Sequence, residues 1–209
     1  MMSLAHSCFS EGPGRRLRLD DCAAQLVEFA VALPLLVVFV VGIFDFSNAF
    51  ALKLRLTNLV REAAHTSTIG PFTDVVVGGT TPVSVANAAQ LVDYYLVNNN
   101  INDCGLSTNL NSSSSGLTWT FTANSNGCPP PGLTLIFNRG YYFPVNSTTV
   151  ANATCQSQTP GNGQTAVIAT CVSISYPYPW RFGQVASLLG SNNPLPTQLS
   201  AIAVALNTD

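Results

Sequence analysis

Residues 22–50 read CAAQLVEFAVALPLLVVFVVGIFDFSNAF, Cys22 to Phe50. No charge stands between Phe29 and Phe44. As a helix that stretch spans about 24 Å, and the run to Leu52 about 36 Å, at ~1.5 Å per residue. A bilayer core is about 30 Å thick, so the segment is long enough to cross one. A secretory signal has a shorter apolar region, about 7–15 residues. Two residues interrupt the pattern. Glu28 opens the run and Pro34 stands inside it. Asp45 follows the uncharged core, where an outer interface would solvate it at reduced cost.

Outward from this stretch the pattern changes character. Leu52, Leu56, Leu59, Val60 and Ala63 recur at three- and four-residue spacing, with Lys53, Arg55, Arg61 and Glu62 on other faces. That periodicity predicts an amphipathic continuation of the same helix, ended by Gly70-Pro71. The reading divides the chain into a leader, 1–23, a membrane-spanning and amphipathic helix, 24–69, and an exported domain, 70–209. The leader carries Arg15, Arg16 and Arg18 and is expected to be cytoplasmic.

In the last part, Thr73–Val77 is a β-rich run and Pro82–Val97 has helical spacing, with Pro82 suited to a first turn. INDCGLSTNLNSSSSG reads as a polar loop. Leu117–Ala123 alternates as a strand. LTLIFN and YYFPV read as two strands with a turn at Arg139-Gly140, and Gln164–Tyr176 as the longest strand. Phe182–Leu189 reads as a short helix. Thr197–Leu206 sets Ile202, Val204 and Leu206 against alanines and reads as a final strand, with a helix as the alternative because Ala favours one. The expected fold class is α+β: a long N-terminal helix packed on a small antiparallel β-sheet domain.

Charged residues make up 9% of the chain and the net charge is −2, against about 25% charged in average domains. Asn, Ser, Thr and Gly take their place in the second half. A nucleic-acid partner needs a basic face, and none is encoded. Cys104, Cys128, Cys155 and Cys171 are separated by 24, 27 and 16 residues, with no C-x-x-C. Zinc ribbons and redox motifs need close pairs. Disulfides tolerate long loops, so an oxidising compartment fits better. Proximity favours Cys104–Cys128 and Cys155–Cys171 among three pairings. This domain also breaks the near tie in flanking positive charge and places the C-terminal part outside the cytoplasm.

Catalysis has little to work with. After Gly70 the charged side chains are Asp74, Asp93, Asp103, Arg139, Arg181 and Asp209, and no His follows His65. A nucleophilic Ser needs a base such as His or Lys, and this part of the chain has neither. No enzyme and no cofactor is expected.

Glu28 has two readings: it marks the membrane interface, or it meets a positive partner once the segment enters an assembly. An acidic group costs about 2.5–3.5 kcal/mol at a membrane helix centre, and less near the interface. A cut between Ala23 and Ala24 would leave an α-amine four residues before Glu28. On helical spacing, the amine of one subunit can pair with Glu28 of another and set the register of packed helices.

Ala23, Glu28-Phe29-Ala30, Leu33-Pro34, Gly42-Ile43, Asp45 and Phe46, followed by Arg61-Glu62-Ala63-Ala64, resemble the N-terminal signature of TadE-like proteins, the minor pilins or pseudopilins of tight-adherence (Flp) pili. The likeness covers roughly 23–68, and Ala23 stands where that family usually has Gly. It implies a structural pilus subunit, cut on the cytoplasmic side by a prepilin peptidase and left in the membrane by its apolar helix. It implies as partners that peptidase, the pilus assembly platform and other pilin-like subunits. Pro34 removes one backbone hydrogen bond, which would ease the step from bilayer to fibre. The rival reading is a membrane-anchored adhesin or carbohydrate-binding envelope protein, with Tyr141, Tyr142, Tyr176, Tyr178 and Trp180 stacking on sugar faces.

Overall fold

The structure is a computed structural model, and it describes residues 15–69, 74, 80–108, 112–144, 154–156, 166–181, 183 and 196–207. The elements are α1 (Arg15–Ile69), α2 (Val83–Asn98) and five strands: β1 (Ser112–Ser115), β2 (Thr118–Ala123), β3 (Leu133–Pro144), β4 (Ala166–Pro177) and β5 (Gln198–Leu206). The strands form one antiparallel sheet in chain order. The fold is α+β. Two compact units divide within α1, between Ser47 and Asn48.

In the first unit, α1 runs unbroken through Pro34. Its side chains from Gln25 to Val37 are exposed, including Leu26, Phe29, Val31 and Leu35. By length and composition this is a helix able to cross a membrane. Exposed apolar surface on this scale is stable only against lipid or other protein. Asp45 departs from expectation. It is 5% exposed and has a partner, so burial rather than interfacial water surrounds it.

The second unit has its own core. Leu56, Leu59, Val60, Ala63 and Ala64 of α1 join Val85, Ala88, Ala89, Val92 and Leu96 of α2. Both helices cover a sheet face made of Trp119, Phe121, Leu135, Phe137, Val172 and Ile174. The three- and four-residue periods of the helices and the two-residue period of the strands converge on this layer. Ser67 and Thr68 are buried near the end of α1, but their hydroxyls donate to Ala64 O and His65 O at 2.8 Å each. The small side chains Ala201, Ala203 and Ala205 bring β5 into the same core. Those alternating contacts, with ladder pairing to β4, decide strand over helix there.

α2 ends by a clear mechanism. Asn100 adopts φ +54°, Ile101 N donates to Leu96 O at 2.9 Å, and Asn100 N donates to Val97 O at 3.1 Å. This closes the helix with Asn in the left-handed position.

Two loop and strand expectations are corrected. The serine run 112–115 is an edge strand, paired with β2 through a two-residue turn at Gly116-Leu117, where Gly116 has φ +61°. Serines carry no apolar alternation, so partner pairing alone makes the strand. Leu133–Pro144 is one strand, not two with a turn at Arg139-Gly140. A register shift between Asn138 and Tyr141 absorbs the irregularity. The Asn138 side chain accepts from Gly140 N at 2.9 Å and donates to Cys155 O at 2.8 Å, which holds this bulge in place. The expected strand at Thr73–Val77 and most of the expected helix at Phe182–Leu189 lie outside the described residues.

Candidate assembly site

The residues singled out on the apolar segment all lie on α1. Ala23 and Ala24 are within its helical backbone, and Glu28 and Pro34 are exposed on it. Helical spacing places Glu28 one turn beyond Ala24 on the same side. Its neighbours Leu26, Val27, Phe29 and Val31 are all exposed. Glu28 is therefore a carboxylate exposed among apolar side chains that are themselves exposed. A carboxylate in that setting can form an ion pair with a cation. In low dielectric such a pair is costly to break once formed.

The sheet domain is held by two covalent links. Cys104 and Cys128 stand 5.2 Å apart at Cα and are bonded, as are Cys155 and Cys171 at 5.6 Å. The first ties the segment after α2 to the β2–β3 connection. Around it, Ser125 N donates to Cys104 O at 2.8 Å and Asn102 Nδ2 to Asn126 O at 2.8 Å. The second ties the piece around Thr154–Gln156 to β4. It lies in a small cluster on the outer sheet face, with Tyr141 and Ala169.

Four of the charged side chains beyond the helix sit in two local arrangements that sequence reasoning missed. Arg139 is 1% exposed, and its Nη1 lies 3.8 Å from Asp74 Oδ1. Arg139 also donates to Ser84 Oγ, while Ser84 N donates to Asp74 Oδ2 at 3.0 Å. Asp74 thus caps α2 from outside the helix, satisfying an orphan N–H and complementing the positive helix end. Asp93 and Asp103 interact near the far end of α2. Burial and the Asp103 charge raise the Asp93 pKa. Burial also pushes Asp103 upward, but Gly105 N–H and the Asn126 amide outweigh it, and its pKa falls below the usual carboxylate value. The sequence signal for the first arrangement was only that Arg139 is the lone cation between residues 70 and 180.

Among the described residues, no group of three or more His, Cys, Asp or Glu side chains is placed to hold a metal. The five aromatics proposed to stack on sugars are not presented together. Tyr141 and Tyr176 are buried, and Tyr176 OH donates to Asn102 O at 2.9 Å. Tyr178 and Trp180 pack edge-to-face on each other with centroids 4.8 Å apart, and the indole N–H donates to Pro196 O. Tyr142 is exposed.

Residues 23–65 match the TadE-like protein family. The matched stretch contains Ala23, Ala24, Glu28 and Pro34 and reaches the packed half of α1. No curated protein and no solved structure matches the chain. The TadE-like match covers most of α1 and does not extend into the sheet domain.

Proposed function

We propose that the chain is a structural, minor pilin-like subunit that takes part in assembling a tight-adherence pilus. The observation that carries this reading is the TadE-like match over a long helix whose apolar surface is left exposed among the described residues. In this reading a prepilin peptidase cuts between Ala23 and Ala24 in the inner membrane. The helix stays in the bilayer with the domain on the far side, then passes into a fibre through the assembly platform. There the freed amine of one subunit neutralises Glu28 of a neighbouring pilin-like subunit. Pro34 loosens the helix for that transfer, because neighbouring groups can satisfy the carbonyl it frees. The subunit makes and breaks no covalent bond itself.

N-terminal sequencing of the mature protein tests the processing step. A start at Ala24 supports the reading, and an intact Met1 counts against it. Fibre yield tests the pairing step. Glu28→Ala is expected to abolish or sharply reduce fibres, and Pro34→Ala to slow their appearance. Normal fibre levels from processed Glu28→Ala would remove the electrostatic basis of the proposal.

A further inference from the structure

The irregular point of β3 connects two parts of the sheet domain. Asn138 pairs with Cys171 across the ladder and Tyr141 pairs with Ala169, so β3 carries one residue more than β4 over this step. In a regular strand Arg139 and Tyr141 would share a face. The extra residue sends them apart. Tyr141 joins Cys155, Ala169 and Cys171 in the outer cluster, while Arg139 reaches Ser84 and Asp74 at the start of α2.

The bulge is held from several sides. Asn138 is buried, and its amide donates to Cys155 O at 2.8 Å and accepts from Gly140 N at 2.9 Å. Arg139 N donates to Leu117 O at 2.9 Å, and Arg139 O accepts from the Asn207 amide at 3.3 Å. A Cβ at Gly140 would meet Leu117 Cδ1 at 2.6 Å, so the bulged backbone lies tight against the β1–β2 turn.

The placement of Cys155 O depends on a strained residue. Cys155 has φ +49°, a left-handed conformation that a residue with a Cβ rarely keeps unless its surroundings hold it. Its bond to Cys171 supplies such a hold. Cys171 is also the ladder partner of Asn138, so the disulfide, the amide and the bulge are immediate neighbours.

We infer that the Cys155–Cys171 bond is a redox-operated latch on the N-terminal end of α2, with Asn138 as the residue that transmits its state. With the bond closed, Cys155 O is presented to the Asn138 amide, the bulge is kept, and Arg139 stays beside Asp74 and Ser84. A dithiol reductant opens the latch by exchange. One of its thiolates attacks a cystine sulfur and breaks the S–S bond, and its second thiolate resolves the mixed disulfide. The reductant leaves as a disulfide. Two electrons and two protons pass to the protein, and Cys155 and Cys171 end as thiols. Cys155 then relaxes out of the left-handed region, and Asn138 loses its acceptor. The bulge loosens, and with it the hold of Arg139 on Asp74, which caps Ser84 N. The inference does not rest on the pilus reading.

Hydrogen exchange of the full-length, detergent-solubilised chain tests this at the Ser84 amide, whose acceptor is Asp74 Oδ2. Cys155→Ala with Cys171→Ala is expected to speed exchange there roughly tenfold, the scale of a lost cap. Asn138→Ala, which removes neither cysteine pair, is expected to give the same rise while buried Val92 in mid-helix keeps its protection. In wild type, titration with a dithiol is expected to speed Ser84 exchange in step with alkylation of Cys155. Should the double cysteine variant lose protection throughout α2, Asn138→Ala decides. Three results would each overturn the inference. One is an Asn138→Ala chain that exchanges at Ser84 as wild type does, or loses Val92 protection equally. The second is Ser84 protection that survives alkylation of Cys155. The third is a Cys155–Cys171 bond that a dithiol does not open in the folded chain.

Discussion

Asp93 and Asp103 face one another with the Tyr176 hydroxyl near by, and they respond to pH in opposite senses. The Asp93 pKa is raised by burial and by the Asp103 charge. Its folded form holds a proton over a range where the unfolded chain has lost it, so its contribution to stability falls as pH climbs from the ordinary value of 3.8 through its folded value. Asp103 titrates below its ordinary value, so its contribution is lost as pH falls from 3.8. Asp93→Asn removes the first effect and leaves the Gly105 and Asn126 hydrogen bonds that lower Asp103. It is expected to hold or raise stability at neutral pH, while matching wild type more closely near the ordinary carboxylate value. Denaturation midpoints at the two pH values check this. A variant that loses stability mainly at neutral pH would show that the Asp93 charge is favourable instead.

At the scale of the element, α2 depends on groups outside itself. Its N-terminal flank is Pro82, which has no side-chain oxygen to cap with, and the cap comes from Asp74, itself paired with buried Arg139. Removing one member of a buried ion pair typically costs about 3–5 kcal/mol, because the other charge stays in low dielectric. Asp74→Ala is therefore expected to cost roughly 3 kcal/mol, including the lost cap. Adding Arg139→Met should recover a good part of the loss by removing the buried cation. The core residue Trp119 supplies a fluorescence signal for the denaturant titration. Strictly additive effects in the double variant would show that the two side chains are not coupled.

At the scale of the whole molecule, the sheet domain combines a modest two-layer core with two covalent staples. The bonded cysteines are 24 and 16 residues apart in sequence. A loop near 15 residues is worth about 3 kcal/mol in the chain-entropy account, with longer loops worth somewhat more. Domains of ordinary size are stable by about 5–15 kcal/mol in total. Reduction is therefore expected to bring the domain near its unfolding threshold while leaving the apolar helix helical. Near-ultraviolet circular dichroism of the detergent-solubilised chain with and without reductant measures the first effect, and the far-ultraviolet signal the second. A domain that keeps its near-ultraviolet spectrum and denaturation midpoint when reduced would show that the core alone suffices.

The sequence by itself determined the long helix and its change from apolar all round to one-sided, because both are periodic patterns written in consecutive residues. It also determined α2 and the strands with clear alternation, and the TadE-like character of residues 23–65, which rests on local spacing. Only the tertiary structure decided the rest. Ser112–Ser115 is a strand because Thr118–Ala123 lies beside it. Leu133–Pro144 is continuous because Asn138 bridges its bulge to Cys155. Asp45 is buried rather than solvated, and Arg139 meets Asp74 across 65 residues of chain. Each of these depends on contacts between residues far apart in sequence, and local propensity carries no information about which distant groups will meet.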